Sequence, residues 1–166
     1  MKKRHLAWGL AAAGLFLALT DMPEMLHAEE PLKIGIIYYF NDRTGEGIRR
    51  GAEMAAEEIN SMGGILGKPV QLVFSDDKFK PEFGAYEYTK LVHEDKVAAV
   101  IGTTSSEITL AVMEQMAQYK VPFLSTSSAS PKVTEKVEQT YAKYRYFFRI
   151  HNSSDEIAEI LDLFQK

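Results

Sequence analysis

The 166-residue sequence contains no cysteine. That excludes disulfides, thiolate-held metals and a lipid-modified N-terminal cysteine. It also lacks a basic stripe. Lys and Arg number 19 against 23 Asp and Glu, a formal net charge of −4, so little could neutralise a phosphate backbone, and no nucleic-acid partner is expected. No second long apolar run, low-complexity tract or internal repeat follows the N-terminal segment. No GxSxG surrounds any serine, and beyond residue 28 only His93 and His151 remain, on different segments and without spaced partners. Nucleophilic and metal-assisted catalysis therefore have no visible machinery. The chain reads as a non-enzyme without metal or cofactor.

The N-terminus is distinctive. Lys2, Lys3, Arg4 and His5 precede the uncharged, mostly apolar stretch Leu6 to Leu19, which is too short to span a bilayer and has the layout of a secretory signal peptide. Cleavage is expected after Ala28, although Leu26 is bulkier than the ideal at its position. Removing residues 1–28 takes away three basic and two acidic residues, leaving 16 against 21 in a mildly acidic chain of 138 residues. A cysteine-free exported chain fits the periplasm.

From Leu32, LKIGIIYYF is apolar on both parities, as in a strand buried on both faces of a parallel sheet. A polar break, NDRTGEG, separates it from Ile48, Ala52, Ala55 and Ile59, which share a helix face, and NSMGGILG ends that helix with glycines. The rhythm repeats. PVQLVFSDD predicts a second strand, PEFGAYEYTKLVHED a helix from about Pro81, and VAAVIG a third strand. Ile108, Ala111, Val112, Met116 and Tyr119 predict a third helix face, VPFLS a fourth strand, YRYFFRI a fifth, and SSDEIAEILDLFQK a further helix. This alternation predicts an α/β fold, a doubly wound parallel sheet with helices on both faces. Ligands of such sheets bind beyond the carboxyl ends of the strands, near helix N-termini. The polar clusters NDRTGEG, SDDK, GTTSSE and STSSAS all follow strands.

Three of the candidate motifs have ordinary explanations. Gly45-Glu-Gly47-Ile-Arg-Arg-Gly51 imitates a dinucleotide-binding turn, with Asp76 and Asp77 where a ribose-binding acid would sit. Four residues nevertheless separate the predicted strand end from Gly45, so a flexible loop and helix start are expected instead. Asp76 and Asp77, adjacent on a strand, point to opposite faces and suit a strand-end turn better than a shared cation. The aromatic run around Tyr141, Tyr144, Tyr146, Phe147 and Phe148 suits a strand packed on helices better than a ligand wall. The hydroxyl clusters stand apart. Thr104 and Glu107 form a T-x-x-E capping box, but a cap does not account for the second cluster, Ser125 to Ser130, after the neighbouring strand. Two adjacent strand ends bearing small hydroxyls and free N–H groups would make a polar wall suited to a carboxylate or other small polar group.

The runs IRRGAEMAAEEINSMGGILGKPVQLVFSDDKFKPEFG, VAAVIGTTSSEITLAV, VPFLSTSSASP and YFFRI resemble the type I periplasmic binding proteins, specifically the branched-chain amino-acid (Leu/Ile/Val) binding family of ABC transporters. The resemblance implies two doubly wound lobes closing on a ligand, with residues 29–166 as an N-terminal lobe and the second lobe absent. It implies a small-molecule ligand, such as a branched-chain amino acid, an amide or an aromatic acid, and a membrane permease as partner. Carried over by motif, the ligand-binding positions are Ser106 in the first hydroxyl loop, with Ser105 adjoining, and Ser127 and Ala129 in the second, with Ser128 between. Thr44 stands where relatives often carry an aromatic. Ala129 departs from the usual hydroxyl, and Glu107 in the helix's first turn favours a zwitterion or neutral amide over a pure anion. The resemblance also admits a sensory domain of the same fold, or a truncated product without function.

Overall fold

A computed structural model describes residues 30–163; the expected signal peptide lies outside the described residues. Strands β1 (Leu32–Tyr38), β2 (Val70–Asp76), β3 (Ala99–Gly102), β4 (Phe123–Ser125) and β5 (Phe147–Arg149) form one sheet in the order β2-β1-β3-β4-β5, and every neighbouring pair is parallel. The connecting helices are α1 (Arg43–Ser61), α2 (Pro81–His93), α3 (Ser106–Tyr119), α4 (Pro131–Gln139) and the single turn α5 (Tyr141–Tyr144), with α6 (Ser154–Leu163) after β5. From β1 the chain steps one way to β2, then returns past β1 to β3 and continues to β5. Right-handed crossovers put α1 on one face and the later connections on the other. The doubly wound α/β expectation is thus borne out.

Alternation along the strands supplies the two faces. Ile37, Val100 and Phe123 are fully buried together with Tyr88 and Leu91 of α2 and Ile108, Val112, Met113 and Met116 of α3. A Cβ on Gly84 of α2 would lie 2.4 Å from Ile108 Cγ2, so the glycine allows the two helices their close approach. On the opposite face, the Arg49 guanidinium of α1 lies 4.1 Å from the Phe74 ring centre and 4.6 Å from that of Phe40. Asn60 near the end of α1 donates from Nδ2 to Val70 O (2.9 Å) and accepts from Val70 N (2.6 Å), docking that helix end on the start of β2.

Several local expectations are corrected. Helix α1 begins at Arg43, because Asp42 caps it by accepting from Gly45 N at 2.7 Å. The RTGEG part of the predicted break is therefore helix rather than loop, and Thr44 lies in the first turn. The inward position of α1 is Ala56 rather than Ala55, which is exposed. Helix α4 falls in PKVTEKVEQ, a segment read without an element of its own. The fifth strand is only Phe147–Arg149, and Tyr141 to Tyr144 turn as α5.

Glu114 of α3 ties this region together. It accepts from Lys143 Nζ (2.8 Å) and Tyr144 Oη (2.7 Å) and pairs with Lys136 Nζ (2.7 Å). Burial alone would raise its pKa, but hydrogen bonds from Lys136, Lys143 and Tyr144 outweigh it and lower the carboxyl from 4.5 to about 2. A carboxylate depressed on folding contributes stability above its unfolded pKa and loses it as pH falls through the folded value. Stability should therefore decline between about pH 4.5 and 2, and Glu114→Gln should flatten that decline in acid titrations followed by circular dichroism. The Glu114 side chain is 44% exposed, so screening keeps the effect small. Identical acid profiles for the two proteins would refute it.

Candidate functional site

The order in which strands are added reverses between β1 and β3, and the loops beyond their carboxyl ends meet there, the usual ligand position in such sheets. Tyr39 N, just past β1, donates to Thr104 Oγ1 at 2.8 Å. Thr104 Oγ1 in turn donates to Asp77 Oδ2 at 2.7 Å, and Thr104 N donates to the same oxygen at 3.3 Å. The expected strand-end turn at Asp76 and Asp77 is present: Asp76 Oδ1 accepts from Lys78 N (2.8 Å), and Asp77 Oδ1 from Phe79 N (2.9 Å). Asp77 goes further than expected, since it is fully buried and binds the loop after β3 as well as its own.

The capping expectation shifts by one residue. Ser105, not Thr104, caps α3, its Oγ accepting from Ile108 N at 3.4 Å. Thr104 cannot do so because its hydroxyl is committed to Asp77 and Tyr39. Glu107 is exposed in the first turn. Beneath the cap lies a buried hydroxyl chain: Thr103 Oγ1 and Thr109 Oγ1 are 2.8 Å apart, Thr109 donates to Ser105 O at 3.0 Å, and Ser125 Oγ lies 3.4 Å from Thr109 Oγ1. These bonds fix the start of α3 to the ends of β3 and β4.

Ser106 opens α3, and the loop after β4 converges on it. Ser106 Oγ accepts from Ser128 Oγ at 3.3 Å and from Ser130 N at 3.2 Å. A hydroxyl has two acceptor lone pairs and one proton; with both lone pairs engaged, the Ser106 proton is left to be donated outward. Helix geometry also gives the N–H groups of Ser106 and Glu107 no intrahelical acceptor. Together these make a preorganised donor group at the positive end of a helix.

The structure brings Ser105, Ser106, Ser127, Ser128 and Ala129 into one neighbourhood. Ser128 is fully buried, so its hydroxyl supports Ser106. Ser127 Oγ lies 3.5 Å from the Tyr38 hydroxyl, which spans from the end of β1. Ala129 O accepts from Ser154 N at 2.8 Å, and Arg149 donates to Ser130 O at 3.3 Å and Thr134 Oγ1 at 2.8 Å, so both sides of this loop are braced. Thr44 is exposed on α1 and has no hydrogen bond to the serine loops among the described residues. Tyr38, Tyr39 and Arg149 were not anticipated as site residues. Their signal was position: Tyr38 ends the first strand, Tyr39 follows it, and Arg149 ends the fifth.

Residues 31–162 match the sequence family described as periplasmic binding protein. The chain belongs to that family. Over 96 residues it is 36% identical to an amino acid binding protein of Pseudomonas aeruginosa, covering 58% of this chain and 26% of the relative. It is 32% identical over 92 residues to the Leu/Ile/Val-binding protein BraC3 of Rhizobium johnstonii, covering 55% and 25%. Among solved structures, an ABC transporter substrate-binding protein of Desulfitobacterium hafniense in complex with Leu superimposes with a TM-score of 0.70 at 30% identity, over 82% of this chain and 38% of the other. The branched-chain amino acid transporter substrate-binding protein LivJ of Streptococcus pneumoniae, in complex with isoleucine, does so with a TM-score of 0.66 at 29% identity, over 75% and 34%. The chain thus spans about a quarter of the curated relatives and about a third of the solved ones. These relatives are solute-binding proteins rather than enzymes, and the resemblance seen in the sequence is borne out.

Proposed function

We propose that residues 29–166 form the first lobe of an extracytoplasmic solute-binding protein serving an ABC transporter, exported to the periplasm and partnered there by a membrane permease. Its ligand is a branched-chain amino acid or a small molecule with a similar polar head. The supporting observation is Ser106, whose two accepted hydrogen bonds leave its proton for an acceptor at the N-terminus of α3. A carboxylate oxygen there would accept from the Ser106 hydroxyl and the first N–H groups of the helix. The exposed Glu107 carboxylate favours a ligand that also carries an ammonium group, hence a zwitterion over a simple anion. Ser127 and Ala129 supply neighbouring loop backbone, and Ser105 and Ser128 hold the geometry. Thr44 stands at the start of α1 as an outlying candidate.

Ser106→Ala is expected to weaken L-leucine binding about tenfold or more, the worth of a hydrogen bond to a charged group. NMR titration of the chain measures this into the millimolar range. Unchanged affinity would remove Ser106 from the site.

A further inference from the structure

Phe79 is a large aromatic left 59% exposed, in a backbone conformation that disfavours any residue with a Cβ, at φ +58°. The preceding Lys78 is also left-handed, at φ +49°. The contacts that hold Phe79 form a closed circuit. Its N–H donates to Asp77 Oδ1 at 2.9 Å, Asp77 Oδ2 accepts from Thr104 Oγ1 at 2.7 Å, and Thr104 Oγ1 accepts from Tyr39 N at 2.8 Å. The Tyr39 ring then meets the Phe79 ring edge-on, with centres 6.1 Å apart. The carboxylate organising this circuit is fully buried, while the ring it presents is exposed. Thr104, one corner of the circuit, lies two residues before Ser106. Strained backbone held by buried groups is found where side chains act on ligands.

We propose that Phe79, set against Tyr39 and held by Asp77, forms an apolar lip that reads the side chain of a ligand whose polar head sits at Ser106. This rests on the reading of Ser106 as the head-group site. The lip favours aliphatic and aromatic amino acids over those with no side chain to bury. Asp77 is a positioning residue: it touches no ligand and acts through the Phe79 N–H and the Thr104 hydroxyl and N–H.

The test is NMR titration of the full chain with L-leucine, L-phenylalanine and glycine, reading affinities and the Ser106 amide together. Phe79→Ala is expected to lower affinity for L-leucine and L-phenylalanine about fivefold and leave glycine unchanged. Phe79→Leu should restore most of the L-leucine preference, and Asp77→Asn should lower the leucine-to-glycine ratio as Phe79→Ala does. A ratio does not respond to a uniform loss of folded protein, so misfolding does not imitate the effect. An unchanged ratio in Phe79→Ala, or equal loss for all three ligands, overturns the lip while a responding Ser106 amide preserves the head-group site. A Ser106 amide that responds to none of the three overturns both.

Discussion

Gly45→Val is expected to lower the melting temperature by about 10 °C. A Cβ at Gly45 would stand 2.1 Å from Tyr39 O and 2.7 Å from Phe40 Cα. Both are backbone atoms, so neither can rotate away, and α1 would have to lift from the end of β1. Overpacking usually costs about 1–3 kcal/mol, and more when the neighbour is rigid. The better helix propensity of valine returns only a few tenths. At roughly 3 °C per kcal/mol for a chain of this size, about 3 kcal/mol gives the stated shift. The displacement falls on the segment whose Tyr39 N–H reaches Thr104, so the amide signals of both residues should move. Gly47, two positions on, has nothing within 4 Å of the equivalent Cβ; Gly47→Ala should be neutral or stabilising by up to about 1 kcal/mol. Thermal unfolding followed by circular dichroism compares them, and equal melting temperatures for the two variants would contradict the close contact.

Phe123→Ala is expected to cost about 3–5 kcal/mol, a large share of the roughly 5–15 kcal/mol that holds a domain together. Phe123 is fully buried on β4, with the Tyr88 ring at 6.2 Å and the Phe147 ring at 5.7 Å. Truncation would leave a cavity between β4, α2 and β5, with little room to collapse because Tyr88 is anchored by donating to Val121 O at 2.6 Å. In urea titrations the midpoint should fall while the slope stays the same. Phe148, on the opposite face of β5 and 53% exposed, provides the contrast: Phe148→Ala should cost under about 1 kcal/mol. Similar losses at both positions would show that the core does not lie where the sheet places it.

Long-range order was legible in the sequence wherever hydrophobic periodicity carried it. LKIGIIYYF announced a buried parallel strand because apolar residues on both parities require cover on both faces, and VAAVIG and VPFLS followed from the repeating rhythm of strand and helix. The helix face of α3 was visible for the same reason: Ile108, Val112 and Met116 repeat at four-residue intervals. Side-chain choices between competing hydrogen bonds were not legible. Thr104 and Ser105 are both competent caps, and which one caps depends on Asp77, a residue 27 positions away in sequence that engages the Thr104 hydroxyl. Gly45 and Gly47 were assigned to the polar break before the helix, whereas both lie in its first turns, Gly45 being required there by contact with Tyr39. Helix α4 was overlooked since Val133 is its one fully buried residue. In the site, the two hydroxyl clusters were apparent from their places after strands three and four, but the roles within them follow from direction. Ser128 turns inward to Ser106, a distinction that no serine-rich string contains.

The hydrogen bonds that join Tyr39, Asp77 and Thr104, together with the hydroxyl chain from Thr103 through Thr109 to Ser125, fasten the loop ends to one another. Such loops cannot drift apart independently over evolutionary time, because altering one leaves buried polar groups of the next unpaired. Relatives of this chain would then be expected to diverge at single exposed rim residues while the fastened frame is inherited intact.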